Sequence, residues 1–147
     1  MKKNEIIALE VGQTISAFNK PFTCAGKVVI VLESGDEMIW CVSDQDTMLS
    51  VVPSEEEYLL YDVLEEEFES THESQLINGQ EYEFSYEDTG RVSESSGEAL
   101  ADVDDRFVFL DYEADAGERV RVIVNQNTGD KSAFIGGVIS EEDLLKI

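Results

Sequence analysis

Few side chains in this 147-residue sequence have the type and spacing that chemistry requires. His72 is the only histidine and lies in Ser70-Thr71-His72-Glu73-Ser74. A histidine can serve as a general base, but so polar a segment is the setting of an exposed loop residue. Cys24 and Cys41 have no C-x-x-C context and read as two reduced thiols, with a disulfide between them as the alternative. Two separated cysteines and one histidine do not make a zinc site. Asp102-x-Asp104-Asp105 and Asp44-x-Asp46 offer oxygen ligands of the kind calcium and magnesium prefer. Neither has the glycine and the bidentate glutamate of an EF-hand loop, and each reads as a turn between strands.

Gly136-Gly137 is followed by neither Lys-Ser/Thr nor a long helix. It reads as a bulge or turn before the last element rather than a phosphate loop. Nucleophile-elbow, Walker, dinucleotide and H-E-x-x-H signatures are absent from the sequence. A carboxylate pair for glycoside hydrolysis needs a substrate groove, and aromatic residues to stack sugars make up only 9% of the chain. The expectation is a protein that is not an enzyme and has no cofactor or metal site.

Charge carries more information than any motif. The chain has 33 Asp and Glu against 10 Lys and Arg, a formal net charge of −23. Such a polyanion is repelled by nucleic-acid phosphates and by anionic lipid surfaces, so no direct nucleic-acid binding is expected. Between Lys27 and Arg91 lie 63 residues with 18 acids and no Lys or Arg. The acids are densest at Glu55, Glu56 and Glu57 and at Glu65, Glu66, Glu67 and Glu69, which form the candidate docking surface. Basic residues gather toward the two ends, at Lys2 and Lys3 and at Arg106, Arg119, Arg121 and Lys131.

The elements that must position these groups are mostly strands. Short β-favouring blocks alternate with turn residues, the pattern of an antiparallel protein. Lys27–Glu33, Glu37–Ser43 and Thr47–Val52 form a meander with turns at Ser34-Gly35-Asp36 and Asp44-Gln45-Asp46, ended by Pro53. Glu56–Phe68 fits either a strand or an acidic helix with Leu60, Leu64 and Phe68 on one face. After the hairpin signal Asn78-Gly79, residues 81–87 alternate Tyr82, Phe84 and Tyr86 with Glu81, Glu83, Ser85 and Glu87. That is a strand with a buried face and a solvated acidic face.

Turns are expected at Asp88-Thr89-Gly90 and Ser95-Ser96-Gly97, with Glu98–Val103 as a further block. Strands follow at Arg106–Tyr112, at Glu118–Val124 and after Asn127-Thr128-Gly129-Asp130. Ser140 and Asp143 stand at capping-box spacing, which predicts a short C-terminal helix.

The fold class is therefore mainly β: antiparallel twisted sheets, or a partly open barrel or sandwich, with a short C-terminal helix. It forms a single domain over residues 1–147, with two β sub-units over about 1–69 and 76–147 as a finer division. Val29, Val31, Ile39, Val51, Leu60, Tyr82, Phe84, Phe107, Phe109, Val120, Val122 and Phe134 are the expected core. No run of residues reads as a transmembrane segment or signal peptide, which places the chain in the cytoplasm by expectation.

Trp40-Cys41-Val42, Val51-Val52-Pro53 and Glu57-Tyr58-Leu59-Leu60-Tyr61 occur in that order. Gly79, Tyr82, Gly90-Arg91-Val92, Gly97-Glu98, Asp111-Tyr112, Phe134-Ile135-Gly136-Gly137 and Glu142-Asp143-Leu144 follow. Over roughly residues 25–147 this order resembles the bacterial domain of unknown function 4178 family. The resemblance implies a compact β-rich domain with no assigned chemistry, whose members look like companions of envelope-stress systems. It carries over no catalytic residue.

The expected function is a non-catalytic binding or adaptor module that engages a basic protein partner. Complementary charge of this kind speeds association and selects partners. The alternative is an inhibitor: a nucleic-acid mimic or an immunity-type protein.

Overall fold

The structure is a computed structural model that describes residues 1–98 and 101–147. Ala99 and Leu100, in the expected Glu98–Val103 block, lie outside the described residues. A one-turn helix α1 (Lys3–Ile7) precedes β1 (Thr14–Ala17), β2 (Lys20–Leu32), β3 (Glu37–Ser43) and β4 (Thr47–Val52). After them come β5 (Glu57–Val63), β6 (Gln75–Ile77), β7 (Gln80–Gly97), β8 (Arg106–Glu113), β9 (Arg119–Asn125), β10 (Lys131–Ile139) and β11 (Leu144–Lys146).

Eight of these strands close an antiparallel barrel in the order β2-β3-β4-β5-β10-β9-β8-β7, with β7 pairing back onto β2. Closure removes the free edges that an open sheet would leave. The barrel consists of two four-stranded meanders, β2–β5 and β7–β10, joined at two seams. One seam pairs β5 with β10 and the other pairs β2 with β7.

A glycine sits at each seam because no side chain fits there. A Cβ on Gly136 would lie 1.9 Å from the Leu60 carbonyl oxygen, and one on Gly90 would lie 2.5 Å from Ile30 Cγ2. This explains two departures from the sequence reading. Gly90 lies inside the continuous strand β7 rather than at a turn, and Gly136-Gly137 lies inside β10 rather than in a bulge or turn. β7 likewise runs straight through Ser95 and Ser96 to Gly97.

Strand alternation sends one set of side chains into the barrel and the other outward. Inside, Trp40 packs against Phe107 and Phe109 at ring-centroid distances of 5.6 and 5.4 Å. Val28, Ile30, Met48, Leu59, Tyr61, Ile123 and Phe134 complete that core. Outside, each meander wears a coat. Ile6 and Leu9 from the α1 segment, Ile15 from β1 and Leu144 from β11 cover Val29, Ile39, Cys41, Leu49, Val51 and Tyr58. The link between the meanders, with Leu64, Phe68 and Ile77, covers Tyr82, Leu110, Tyr112, Val120 and Val122. Nine of the twelve expected core residues are buried, while Val31, Leu60 and Phe84 are half-buried.

One further expectation is corrected and one open choice is settled. The Ser140–Asp143 capping box forms, but it caps only a 3-10 turn over Glu141–Asp143, and the chain then enters β11 instead of a helix. So short a helix has little stability in water. β11 instead gains backbone pairing with β1 and buries Leu144 completely. Residues Glu57–Val63 form a strand, which settles the open choice at Glu56–Phe68 in favour of alternation.

Candidate functional site

β8 and β9 turn tightly about Ala114 and Gly117, and their register sets Asp111 opposite Arg121 and Glu113 opposite Arg119. All four point to the barrel side, because Leu110, Tyr112, Val120 and Val122 occupy the outer face. Arg121 is 2% exposed, and its Nε and Nη2 donate to the two Asp111 carboxylate oxygens at 2.8 and 3.1 Å. Its Nη1 donates to Ser50 Oγ at 2.9 Å, and its guanidinium lies 5.5 Å from the centre of the Tyr61 ring. Burial works against the Arg121 charge, but Asp111, helped by Tyr61 and Glu57, more than offsets it and the pKa is raised. Tyr61 is pushed up to about 12 by burial, and its hydroxyl has no hydrogen-bond partner among the described residues.

Above this layer the barrel opens into a mouth with a cavity of about 260 Å³. Leu32, Met38 and Val52 give it an apolar wall. Glu55, Glu57, Asp88, Asp111 and Glu113 supply five carboxylates against the guanidiniums of Arg119 and Arg121. Arg119 is engaged by Glu57 at 3.4 Å and by Glu113 at 3.1 Å. Both arginines are thus neutralised, and the mouth keeps an excess of negative charge.

A β-bulge at Ser85 shapes the rim. Phe84 faces Tyr112 and Tyr86 faces Asp111, so Ser85 has no opposite number. The bulge breaks the expected alternation of Tyr82, Phe84 and Tyr86. Tyr82 stays buried, while Tyr86 is 53% exposed on the rim and donates to Asp88 Oδ2 at 2.6 Å. That hydrogen bond, then burial, pushes the Tyr86 hydroxyl up to about 12, so it stays a donor.

The acids singled out from the sequence fall in three places. Glu55 and Glu57 line the mouth. Glu56, in a left-handed conformation with φ of 51°, turns away to pair with Lys3 at 3.4 Å. Glu65, Glu66, Glu67 and Glu69 are exposed on the link beyond the far end of β5, a strand of seven residues and about 20 Å. There Glu66 accepts from the Asn78 backbone N–H, while Glu67 and Glu69 border a shallow depression with Phe68 and Leu76. Of the 18 acids between Lys27 and Arg91, 16 are exposed, and the two half-buried ones, Glu57 and Asp88, both line the mouth.

The remaining candidates serve the fold. His72 stacks on Phe84 at 4.5 Å and meets Glu87 at 2.8 Å, tying the link to β7. Asp104 pairs with Arg91, and Asp105 accepts from the Asn125 side chain and the Asp102 backbone. Asp44 and Asp46 lie in the turn between β3 and β4. Cys24 and Cys41 are buried free thiols, and the hydrogen bond with Cys24, then burial, pushes the Cys41 thiol up. Among the described residues, no group of three His, Cys, Asp or Glu is placed to hold a metal ion.

The mouth quartet was missed by sequence reasoning although its signal is present. Asp111-x-Glu113 and Arg119-x-Arg121 carry opposite charges at alternate positions on either side of one turn. That is the pattern of two cross-strand ion pairs.

Fold and mouth together define a closed antiparallel barrel with an acid-rimmed opening. No family model, curated protein or solved structure matches this chain. Among the described residues no helix is long and apolar enough to cross a membrane.

Proposed function

We propose that this protein is a non-catalytic acidic binding module that engages a basic protein partner in the bacterial cytoplasm. The observation that carries the reading is the fate of the 63-residue stretch without Lys or Arg. It builds half the barrel and leaves 16 of its 18 carboxylates exposed, so the charge is held outward on a rigid scaffold. Fixed, solvated charge of one sign steers an oppositely charged protein and fades as salt screens it. The resemblance of residues 25–147 to the domain of unknown function 4178 family belongs to the same reading, with an envelope-stress setting as its context.

Reversal of Glu65, Glu66 and Glu67 to lysine tests the link as part of that surface. Capture of a basic partner at low salt is expected to weaken, and capture in the wild type should fall as salt rises. Unchanged capture by the triple variant would remove the link from the docking surface.

The inhibitor reading has one observation in its favour. β7 displays Glu81, Glu83 and Glu87 as exposed charges along a single strand of 18 residues, a linear array such as a nucleic-acid mimic presents. Direct competition with DNA or RNA for the partner would select that reading.

A further inference from the structure

We infer that the barrel mouth is a receptor pocket for one arginine side chain of the partner. The inference rests on the acidic-module reading and names the part of the surface where a specific contact is made. Three features of the mouth converge on a guanidinium at the end of an aliphatic stem.

The first is volume. About 260 Å³ corresponds to roughly nine waters at about 30 Å³ each, which admits one long side chain and little more. The second is wall chemistry. Leu32, Met38 and Val52 offer apolar contact for a stem, while the exposed Glu55 carboxylate lines the same cavity beside Asp88, whose two oxygens accept from Tyr86 Oη and the Thr89 N–H. Long basic side chains bury their methylenes against apolar surface in this way and keep the head on polar groups.

The third is an exposed aromatic. The bulge at Ser85 carries Tyr86 to the rim, where a half-exposed ring is available to a planar cation. Tyr86 is held by its hydrogen bond to Asp88, so ring and carboxylate form one fixed edge.

The sign of the ligand follows by elimination. Arg121 is occupied by Asp111 and Ser50, and Arg119 by Glu57 and Glu113, so neither guanidinium is free to receive an anion. The surplus charge is negative, with five carboxylates against two guanidiniums. Arginine suits it better than lysine because its planar fork pairs with carboxylates and stacks on an aromatic ring.

The test uses the whole chain and an oligo-arginine peptide, with Ser85→Trp as the blocking variant. Ser85 lines the mouth and is exposed, so tryptophan fills the cavity without altering any charge. Peptide affinity at low salt is expected to fall by about tenfold or more, the loss that accompanies removal of one anchoring side chain. A second measurement needs no variant. N-acetyl-arginine amide added to the wild type should shift the Met38 methyl resonance, and N-acetyl-lysine amide should shift it less.

Equal peptide binding by wild type and a folded Ser85→Trp would overturn the pocket and leave the acidic-module reading standing. So would a Met38 methyl that ignores the arginine amide, and this measurement decides alone if Ser85→Trp does not fold. Failure of the wild type to bind oligo-arginine at low salt would instead overturn the acidic-module reading itself, and the pocket with it.

Discussion

The β2–β5 meander lines its side of the barrel with Val28, Ile30, Trp40, Met48 and Leu59, and Ser50 is the polar group it turns toward Arg121. The β7–β10 meander begins in the same way, with Phe107, Phe109 and Ile123, but nearer the mouth it replaces apolar groups by Arg121 and Asp111. Their coats differ too. The first is covered mainly by apolar packing of Ile6, Leu9, Ile15 and Leu144, with polar ties from Lys27 Nζ to the Ile7 carbonyl at 2.7 Å and from Tyr58 Oη to Glu141 at 3.2 Å. The second is covered by a link that is also tied down by polar contacts. Tyr112 Oη donates to the Thr71 carbonyl at 2.6 Å and accepts from the Thr71 N–H at 3.2 Å. Lys131 Nζ donates to Ser70 Oγ at 3.1 Å. The interior of one half is thus apolar around Ser50, while the other sets a buried ion pair among its apolar groups. A buried ion pair adds little stability over an apolar filling. Removing one partner of such a pair is costly all the same, because the other charge is left stranded beneath the mouth.

Asp111→Ala should produce the largest separation between the halves. It leaves the Arg121 charge buried without its partner, and a loss of about 3–5 kcal/mol is expected in urea denaturation. Replacing both partners, with Asp111→Leu and Arg121→Met, should recover most of that loss. A single variant as stable as the wild type would contradict the buried-charge account of the β7–β10 half.

The coats give the next contrast. Leu144→Ala removes a fully buried side chain from the apolar coat and should cost about 3 kcal/mol. Tyr112→Phe keeps the ring but strands the Thr71 backbone groups, for about 1 kcal/mol. Similar losses from the two changes, measured by the same unfolding curves, would show that the polar ties of the link hold as much as apolar burial does.

Alkaline pH probes the interior of the first half through Tyr61. Burial raises its hydroxyl from 10 to about 12, so the folded state holds a proton that the unfolded state releases. The associated stability is complete below pH 10 and is lost as pH rises from 10 to about 12. The loss is expected to be on the order of 3 kcal/mol. Unfolding followed by tyrosinate absorbance should show this loss, and Tyr61→Phe should reduce it. An unchanged pH profile in Tyr61→Phe would place the sensitivity elsewhere.

Alternation and turn chemistry made most of the barrel legible in the sequence. Lys27–Glu33, Glu37–Ser43 and Thr47–Val52 each fall on strands, and Asn78-Gly79 makes the β6–β7 hairpin with both residues at positive φ. The readings that failed concern residues whose role depends on a distant partner. Gly90 and Gly136 look like turn residues until Ile30 and Leu60 are packed against them. Ser140 and Asp143 look like a helix start until β1 offers a strand to pair with. The mouth was hidden for a similar reason. Val120 and Val122 were rightly expected to be buried, but they face the link coat, and the arginines between them face the barrel. A strand covered on both sides has no solvated face, so the period of two does not say which set lies inward.

The two seams carry a kinetic consequence. Strands within each meander meet across short turns, whereas the seams join residues as distant as Leu32 with Gly90 and Tyr58 with Ile139. Closing such long loops costs chain entropy before any contact repays it, and folding slows as the contacts become less local. Hairpins can therefore form early and independently, while the glycine-lined seams wait for both meanders. The mouth exists only after that last step, because its wall draws Leu32, Met38 and Val52 from one meander and Asp111, Arg119 and Arg121 from the other.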